Sequence, residues 1–314
     1  PAAPCVGDMR FRLIIPVALL AASALLASDR PPVTATGADL ADLTGRRVEV
    51  LAISGAERTS EAVIRDAIAT AEDEPLDVDR LRSDRLTLLA SGAFTAVTVS
   101  VVPRGEAVAV TFVVAESPTY RLHPEFLITA EDGLAVGGGV STPNAEGLLI
   151  RGRLSVLFGA IQQTHIAIAA PRVGRRYGDF GLVYFNRQRR NTLFDFFEVA
   201  NEVFVTAAPR IAPSLAAGVR LGYQRMRADA VGPTLSADRV DDVNTVGGLI
   251  ALDTRDNPLL TRRGWQSELL AERTGLLGGD TRFWRITADA RRWQPLGRGH
   301  GLAFFGLATW TSGD

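Results

Sequence analysis

The fold class follows from one repeated pattern, which is clearest at residues 215–224, LAAGVRLGYQ. Apolar side chains alternate there with small or polar ones, so the two faces of an extended chain differ in polarity. Residues 150–158 and 284–291 repeat the alternation, with arginine on the polar face. A period of two predicts β-strands, and its recurrence predicts a sheet with one apolar face and one charged face.

The length of the alternating segments distinguishes a membrane protein from a soluble one. We predict about eleven strands, near 120–129, 133–142, 148–159, 163–171, 178–188, 195–206, 213–227, 241–255, 263–275, 280–294 and 300–312. A soluble β-sandwich alternates too, but its strands average about 5–6 residues. These segments match the ~9–11 residues that a tilted strand needs to cross a bilayer. Residues 119–314 are therefore predicted to form an antiparallel transmembrane β-barrel whose arginines face a water-filled lumen.

The composition narrows the classes of function. The 314 residues carry a net charge of -1, with 34 basic residues that are all arginine. A near-neutral balance argues against nucleic acid as a partner. The single cysteine, Cys5, and three scattered histidines provide no disulfide framework and no metal-ligand spacing. No nucleophile–base constellation stands out, so we predict a protein that is not an enzyme and that has no cofactor and no metal.

The first residues resemble an export signal. Met9 is followed by Arg10 and Arg12, and then by an apolar run and small residues. This order predicts a signal peptide over residues 9–27, preceded by residues 1–8 outside the translated protein. The alternative is an uncleaved anchor, but the apolar run is short of the ~20 residues that a spanning helix needs. Residues 28–46 are expected to be a linker.

Residues 47–117 predict a small α/β module of order β-α-α-β-β. A short strand precedes two helices, of which the second is capped by Asp77 and ended by Gly92. Two alternating segments then form a hairpin around residues 103–106. Two helices cover only one face of three strands, so we expect an open sheet edge to which a guest strand can add.

Several stretches resemble a known family. The module and its junction at residues 91–94, SGAF, resemble a polypeptide-transport-associated (POTRA) domain, with a generic ferredoxin-like module as the alternative. Residues 132–139, 253–265 and 293–297 resemble barrel segments of the BamA/TamA-like outer-membrane assembly-factor superfamily, the bacterial surface antigen group. Such barrels have roughly sixteen strands. We therefore expect an incomplete, C-terminally truncated barrel that lacks the family's Arg-Gly-Phe loop.

The resemblance implies a factor that assembles and inserts outer-membrane proteins. Unfolded outer-membrane polypeptides would bind the POTRA edge strand and insert at the seam, which is the junction of the first and last barrel strands. The implied client-binding residues are Phe94, Val97, Val99 and Val101; the seam residues are Arg121, Phe126 and Ile128; and the turn motif comprises Asp253, Arg255, Asp256, Asn257, Pro258 and Gly264. Outer-membrane lipid, lipopolysaccharide and periplasmic accessory proteins are further expected partners. The barrel is expected in the outer membrane, with its POTRA domain in the periplasm.

Other interpretations remain open at this stage. The chain resembles a two-partner-type polypeptide secretion pore, and also the barrel anchor of patatin-like outer-membrane proteins, although it has no Gly-x-Ser-x-Gly elbow. A soluble β-rich binding protein is the remaining alternative. Asp253, Asp256 and Asn257 suit either a metal or acid–base cluster or, more simply, a turn that ends a strand. Gly137–Gly139 suits a bent barrel strand better than a phosphate loop, because no helix follows it.

Overall fold

The computed structural model describes residues 12–14, 33–37, 39–129, 133–170, 179–191, 195–212, 214–229, 232, 234–256, 261–297 and 300–313. They form a small α/β domain, residues 33–117, and a large antiparallel sheet that begins at residue 121. A short strand, β1 (Arg12–Ile14), pairs with the last strand of the large sheet. Among these residues no helix is both long enough and apolar enough to cross a membrane.

The small domain has a four-stranded sheet covered by helices. Its elements are β2 (Val33–Ala35), α1 (Leu40–Leu43), β3 (Arg47–Ser54), α2 (Glu61–Ala67), α3 (Val78–Ala90), β4 (Phe94–Arg104) and β5 (Ala107–Glu116). The strand order is β2-β4-β5-β3, with β4 and β5 antiparallel and the outer pairs parallel. The predicted β-α-α-β-β order is confirmed, because β3, α2, α3, β4 and β5 follow it.

The predicted caps of α3 are present. The Asp77 carboxylate accepts the N–H groups of Asp79 and Arg80 at the start of the helix. Gly92 follows the helix with a φ of 77°, in the left-handed region that glycine adopts without a Cβ penalty. The caps therefore set where the chain leaves the helix and enters β4.

The expected linker contributes to the fold instead. Within residues 28–46, the structure places β2 and α1 against the small domain, where Val33 and Leu43 are buried in its core. Each element has only three or four residues, too few to show a period in the sequence. Their burial against the larger elements stabilises them, at about 1.5–3 kcal/mol for each large apolar side chain.

The implied client-binding side chains do not form an exposed surface, and the edge of β4 is covered along part of its length. Its four implied client-binding side chains are at most 3% exposed and lie in the core: Phe94, Val97, Val99 and Val101. Strand β2 pairs with β4 along residues 99–101. Next to it, Arg85 Nε donates to the Val97 carbonyl at 2.7 Å. Along residues 99–101 the strand therefore has a neighbour on both sides, because residues preceding the predicted module supply the second one.

The large sheet contains every strand that the alternation predicts. Its strands are β6 (Arg121–Thr129), β7 (Gly133–Ala145), β8 (Ile150–Gly159), β9 (Ile161–Ala170), β10 (Asp179–Asn191), β11 (Phe196–Ala208), β12 (Arg210–Ala212), β13 (Leu215–Ala228), β14 (Val240–Asp253), β15 (Gly264–Gly279), β16 (Phe283–Gly297) and β17 (His300–Gly313). From β6 to β17 they pair antiparallel in chain order, and only the three-residue β12 lies off that path. All eleven predicted strands are confirmed. Strand β12 was missed because three residues carry no periodicity.

The polarity of the large sheet is inverted relative to a soluble protein. Apolar side chains such as Leu221, Ile250 and Leu269 are exposed on one face. The other face covers charge: Glu272 is 1% exposed and bonds to Arg285 at 2.8 Å. An exposed apolar face over many strands is unfavourable in water and suits contact with lipid.

Candidate functional site

Strand β6 forms one end of the described sheet. It pairs with β7 on one side, and no described residue pairs with its other side. Its apolar side chains are strongly exposed: 85% for Leu122, 70% for Phe126 and 77% for Ile128. The implied seam residues Phe126 and Ile128 therefore lie on this free edge. An unpaired strand edge is a template for another strand.

A polar network holds the inner face of β6 to the sheet. Glu125 Oε1 lies 3.1 Å from His123 Nε2 and accepts a hydrogen bond from Arg153 Nη2 at 2.6 Å. Arg153 belongs to β8, so the network reaches across the intervening strand β7. A Cβ on Gly139 of β7 would lie 2.5 Å from His123 Nε2, so a larger residue there would displace the imidazole from this position. The three glycines at 137–139 thus lie within a strand and not in a phosphate loop.

The turn between β7 and β8 attaches the sheet to the small domain. Leu149 in this turn is 1% exposed and belongs to the small domain's core. Asn144 orients the turn, since its Oδ1 accepts the Leu149 N–H and its Nδ2 donates to Thr59 Oγ1 at 2.8 Å. Gly147 approaches so closely that a Cβ there would lie 2.2 Å from the Arg58 carbonyl oxygen. The turn and the domain therefore fit together without space for a larger residue.

Glu116 organises the domain side of this junction. Its Oε1 accepts the Thr59 hydroxyl at 2.6 Å and the Thr59 N–H at 2.8 Å, and its Oε2 accepts Arg58 Nε at 2.9 Å. Burial acts to raise the pKa of Glu116, but these hydrogen bonds outweigh it and lower the pKa to about 2. The ionised carboxylate thus fixes Thr59, which in turn binds Asn144 of the large sheet.

Two arginines of the large sheet bind the end of helix α3. Arg151 of β8 donates to the carbonyl oxygens of Ala90 and Ser91, and Arg121 of β6 donates to that of Gly92 at 3.4 Å. The last carbonyls of a helix have no partners within the helix and carry a partial negative charge. The implied seam residue Arg121 therefore contacts the small domain, whereas Phe126 and Ile128 lie further along the edge.

The family-like turn motif closes the junction of β14 and β15. Arg255 donates to both carboxylate oxygens of Asp253, and Asp256 accepts the N–H groups of Arg262 and Arg263. Gly264 has a φ of 116°, and a Cβ there would lie 2.4 Å from the Thr254 carbonyl oxygen. The implied residues Asn257 and Pro258 lie outside the described residues.

The carboxylates of this motif bind arginine and backbone groups. Across the part of the chain that the structure describes, no three His, Cys, Asp or Glu side chains are grouped to hold a metal ion. The arrangement of Asp253 and Asp256 is that of a turn.

Sequence reasoning missed the junction between domain and sheet. Only Arg121 was implied beforehand, and it was assigned to the seam. The adjacent leucines 148 and 149, in a turn between two amphipathic strands, were the available signal, because a turn seldom needs two large apolar residues.

Comparison with known families and structures accounts for this architecture. Residues 182–313 match the Omp85 superfamily domain, and residues 47–117 match the POTRA family described as surface antigen variable number repeat. Comparison with curated protein sequences gives no match.

Solved structures share the fold at low identity. The crystal structure of BamA from Haemophilus ducreyi lacking POTRA domains 1–3 matches with a TM-score of 0.60 and 14% identity, over 86% of this chain and 56% of that one. CdiB from Acinetobacter baumannii matches with a TM-score of 0.55 and 12% identity, over 86% and 53%. CdiB from Escherichia coli matches with a TM-score of 0.57 and 12% identity, over 88% and 57%.

The chain thus spans a little over half the length of these structures. Its POTRA module precedes long antiparallel strands with an exposed apolar face, and family models match both parts. The chain belongs to the Omp85 superfamily, as an outer-membrane β-barrel protein whose POTRA module lies in the periplasm.

Proposed function

We propose that this protein assembles outer-membrane proteins by pairing the free edge of β6 with strands of unfolded polypeptides. The observation that supports the proposal is the position of β6, which comes first in the large sheet, contacts the POTRA module through Arg121, and pairs on one side only within the described residues. Backbone groups without partners are costly in lipid. A client strand that adds to β6 satisfies its own backbone groups and those of β6 together.

The POTRA module would hold this edge in position at the periplasmic side, where clients arrive. Leu149, Arg121 and Arg151 connect the module to β6 and β8. The exposed apolar face of the sheet supports outer-membrane phospholipid and lipopolysaccharide as its surroundings. Periplasmic accessory proteins remain an expectation from the family resemblance, and the absence of enzymatic activity remains one from the lack of a nucleophile–base constellation in the sequence.

A site-specific photo-crosslinking experiment tests the proposal. A photoreactive residue is placed at Ile128 on the edge, or at Ile250, which is 52% exposed on β14 and has neighbouring strands on both sides. In outer membranes that contain the full-length protein, newly made outer-membrane polypeptides should crosslink to position 128 and not to position 250. Equal yields at the two positions would contradict edge pairing, because both side chains face lipid.

A polypeptide secretion pore is the second candidate. The inner face of the sheet favours it, since charged pairs such as Glu198 with Arg189 and Glu272 with Arg285 line that face and suit a hydrated passage. A photoreactive residue at Gln224, beside Glu202 on the inner face, distinguishes the two candidates. A secreted polypeptide in transit would crosslink to position 224 in place of position 128.

A further inference from the structure

A proline lies in the middle of the free edge strand. Pro124 of β6 pairs with Gly138 of β7, and it has no N–H group to donate. A proline in a sheet is tolerated where its nitrogen faces away from the neighbouring strand. The direction in which this nitrogen points follows from the hydrogen-bond ladder between β7 and β8.

The hydrogen bonds between β7 and β8 show which residues of β7 direct their backbone groups toward β8. Ala160 N–H donates to the Leu134 carbonyl at 3.1 Å, which marks residues 134 and 160 as a hydrogen-bonded pair. The register of β7 with β8 continues without a shift from the Ala135–Gly159 pair onward to residue 142. Every second residue of β7 therefore bonds to β8, and Gly138 is one of these residues.

The residues of β7 that form hydrogen bonds with β8 do not form them with β6. Because Gly138 directs its backbone groups to β8, its pair with Pro124 is a non-hydrogen-bonded pair, and Pro124 directs its backbone groups away from β7. The same holds for the other β6 residues of this parity: Leu122, Phe126 and Ile128. The free edge therefore offers carbonyl oxygens at four positions but N–H donors at three, with the gap at Pro124.

We propose that Pro124 divides the edge and confines continuous pairing of an incoming strand to the extracellular segment, residues 125–129. This inference rests on the proposed function and names the part of the edge that a client uses. A client strand that extends past Pro124 has one backbone carbonyl opposite the proline that receives no N–H group. An unpaired carbonyl is costly in lipid. Client strands with a bulge or an end at the opposing position avoid the loss.

The position of the gap also determines the direction of opening. Phe126 and Ile128 lie beyond Pro124 toward the extracellular end, whereas Leu122 alone lies on the periplasmic side, next to the POTRA module. A strand paired with β6 is therefore held most weakly at its periplasmic end. Separation starts at the end where new polypeptides arrive.

The test restores the missing donor in the full-length protein. P124A supplies an N–H on the free edge, and P124A/F126P moves the gap by one hydrogen-bonding position without disturbing the ladder with β7. L122A removes an exposed side chain and keeps every donor, so it serves as the matched control. Hydrogen exchange of the Leu122 and Phe126 amides reports pairing without any client, and the lifetime of client crosslinks from position 128 reports release.

We expect P124A to slow exchange at Leu122 and to lengthen the client lifetime, each by about fivefold, the equivalent of one net hydrogen bond. P124A/F126P should slow exchange at residue 122, because it keeps the new N–H at position 124, but should not lengthen the client lifetime, because the donor at position 126 is then missing. L122A should show neither effect. Exchange and lifetime that are the same in P124A and L122A would overturn the inference. If position 128 yields no client crosslinks while P124A still slows exchange, the proposed function fails and the role of Pro124 in edge pairing stands.

Discussion

Leu149 offers the most direct test of how the POTRA module is attached to the barrel. It belongs to the β7–β8 turn, yet its side chain is 1% exposed within the core of the module. L149A removes about three carbon groups, at ~0.8 kcal/mol each, and leaves a cavity. We expect the substitution to lower the free energy of unfolding of the module by about 3 kcal/mol, within the 2–5 kcal/mol typical of buried leucines.

The preceding leucine supplies a matched control. Leu148 is 47% exposed, so L148A removes the same groups from a site that buries few of them, and we expect a loss below about 1 kcal/mol. Leu149 has a φ of 56°, which alanine would share, so L149A leaves the backbone strain unchanged. L149G should lose the same packing but recover about 1 kcal/mol of that strain.

The measurement uses the full-length protein in detergent or vesicles. Protease cleavage at residues 117–120 as a function of urea concentration follows the release of the module. L149A should shift the midpoint clearly below that of wild type, L149G by slightly less, and L148A hardly at all. Equal midpoints for L149A and L148A would refute the claim that Leu149 anchors the module.

Three further predictions concern the same junction and the edge strand. The folded pKa of Glu116 is about 2, whereas the ordinary value of a glutamate is 4.5, so its stabilising contribution is complete above pH 4.5 and is lost as the pH falls toward 2. Urea unfolding as a function of pH should show a loss of about 3 kcal/mol that is absent in E116Q. G139V should displace His123 and speed hydrogen exchange in β6. G138V should be tolerated, because its Cβ would lie 3.5 Å from the His123 carbonyl oxygen. Similar exchange in the two variants would count against the network across β7. R151M should leave the Ala90 and Ser91 carbonyls without their arginine and lower the unfolding free energy of the module by about 1–3 kcal/mol, and an unchanged free energy would contradict a stabilising role for this contact.

The barrel strands could be read from the sequence because each carries its own signal. Each predicted strand is a segment of nine or more residues, the alternation recurs along several of them, and the caps Asp77 and Gly92 mark α3 in the same local way. Strand β2 and helix α1 escaped detection because three or four residues cannot show a period. Their absence from the prediction made β4 look like an edge, although β2 pairs with it.

The sequence by itself determined the positions of the long strands, the lipid-facing row of side chains and the class of the POTRA module, because side-chain polarity along a strand or helix is a local property. Tertiary structure alone decided that Leu149 completes the core of another domain, that His123 reaches over Gly139 toward Arg153, and that Pro124 directs its missing donor to a free edge. These facts depend on residues far apart in the chain, and on the phase of hydrogen bonding between strands, which only the pairing of β6, β7 and β8 sets.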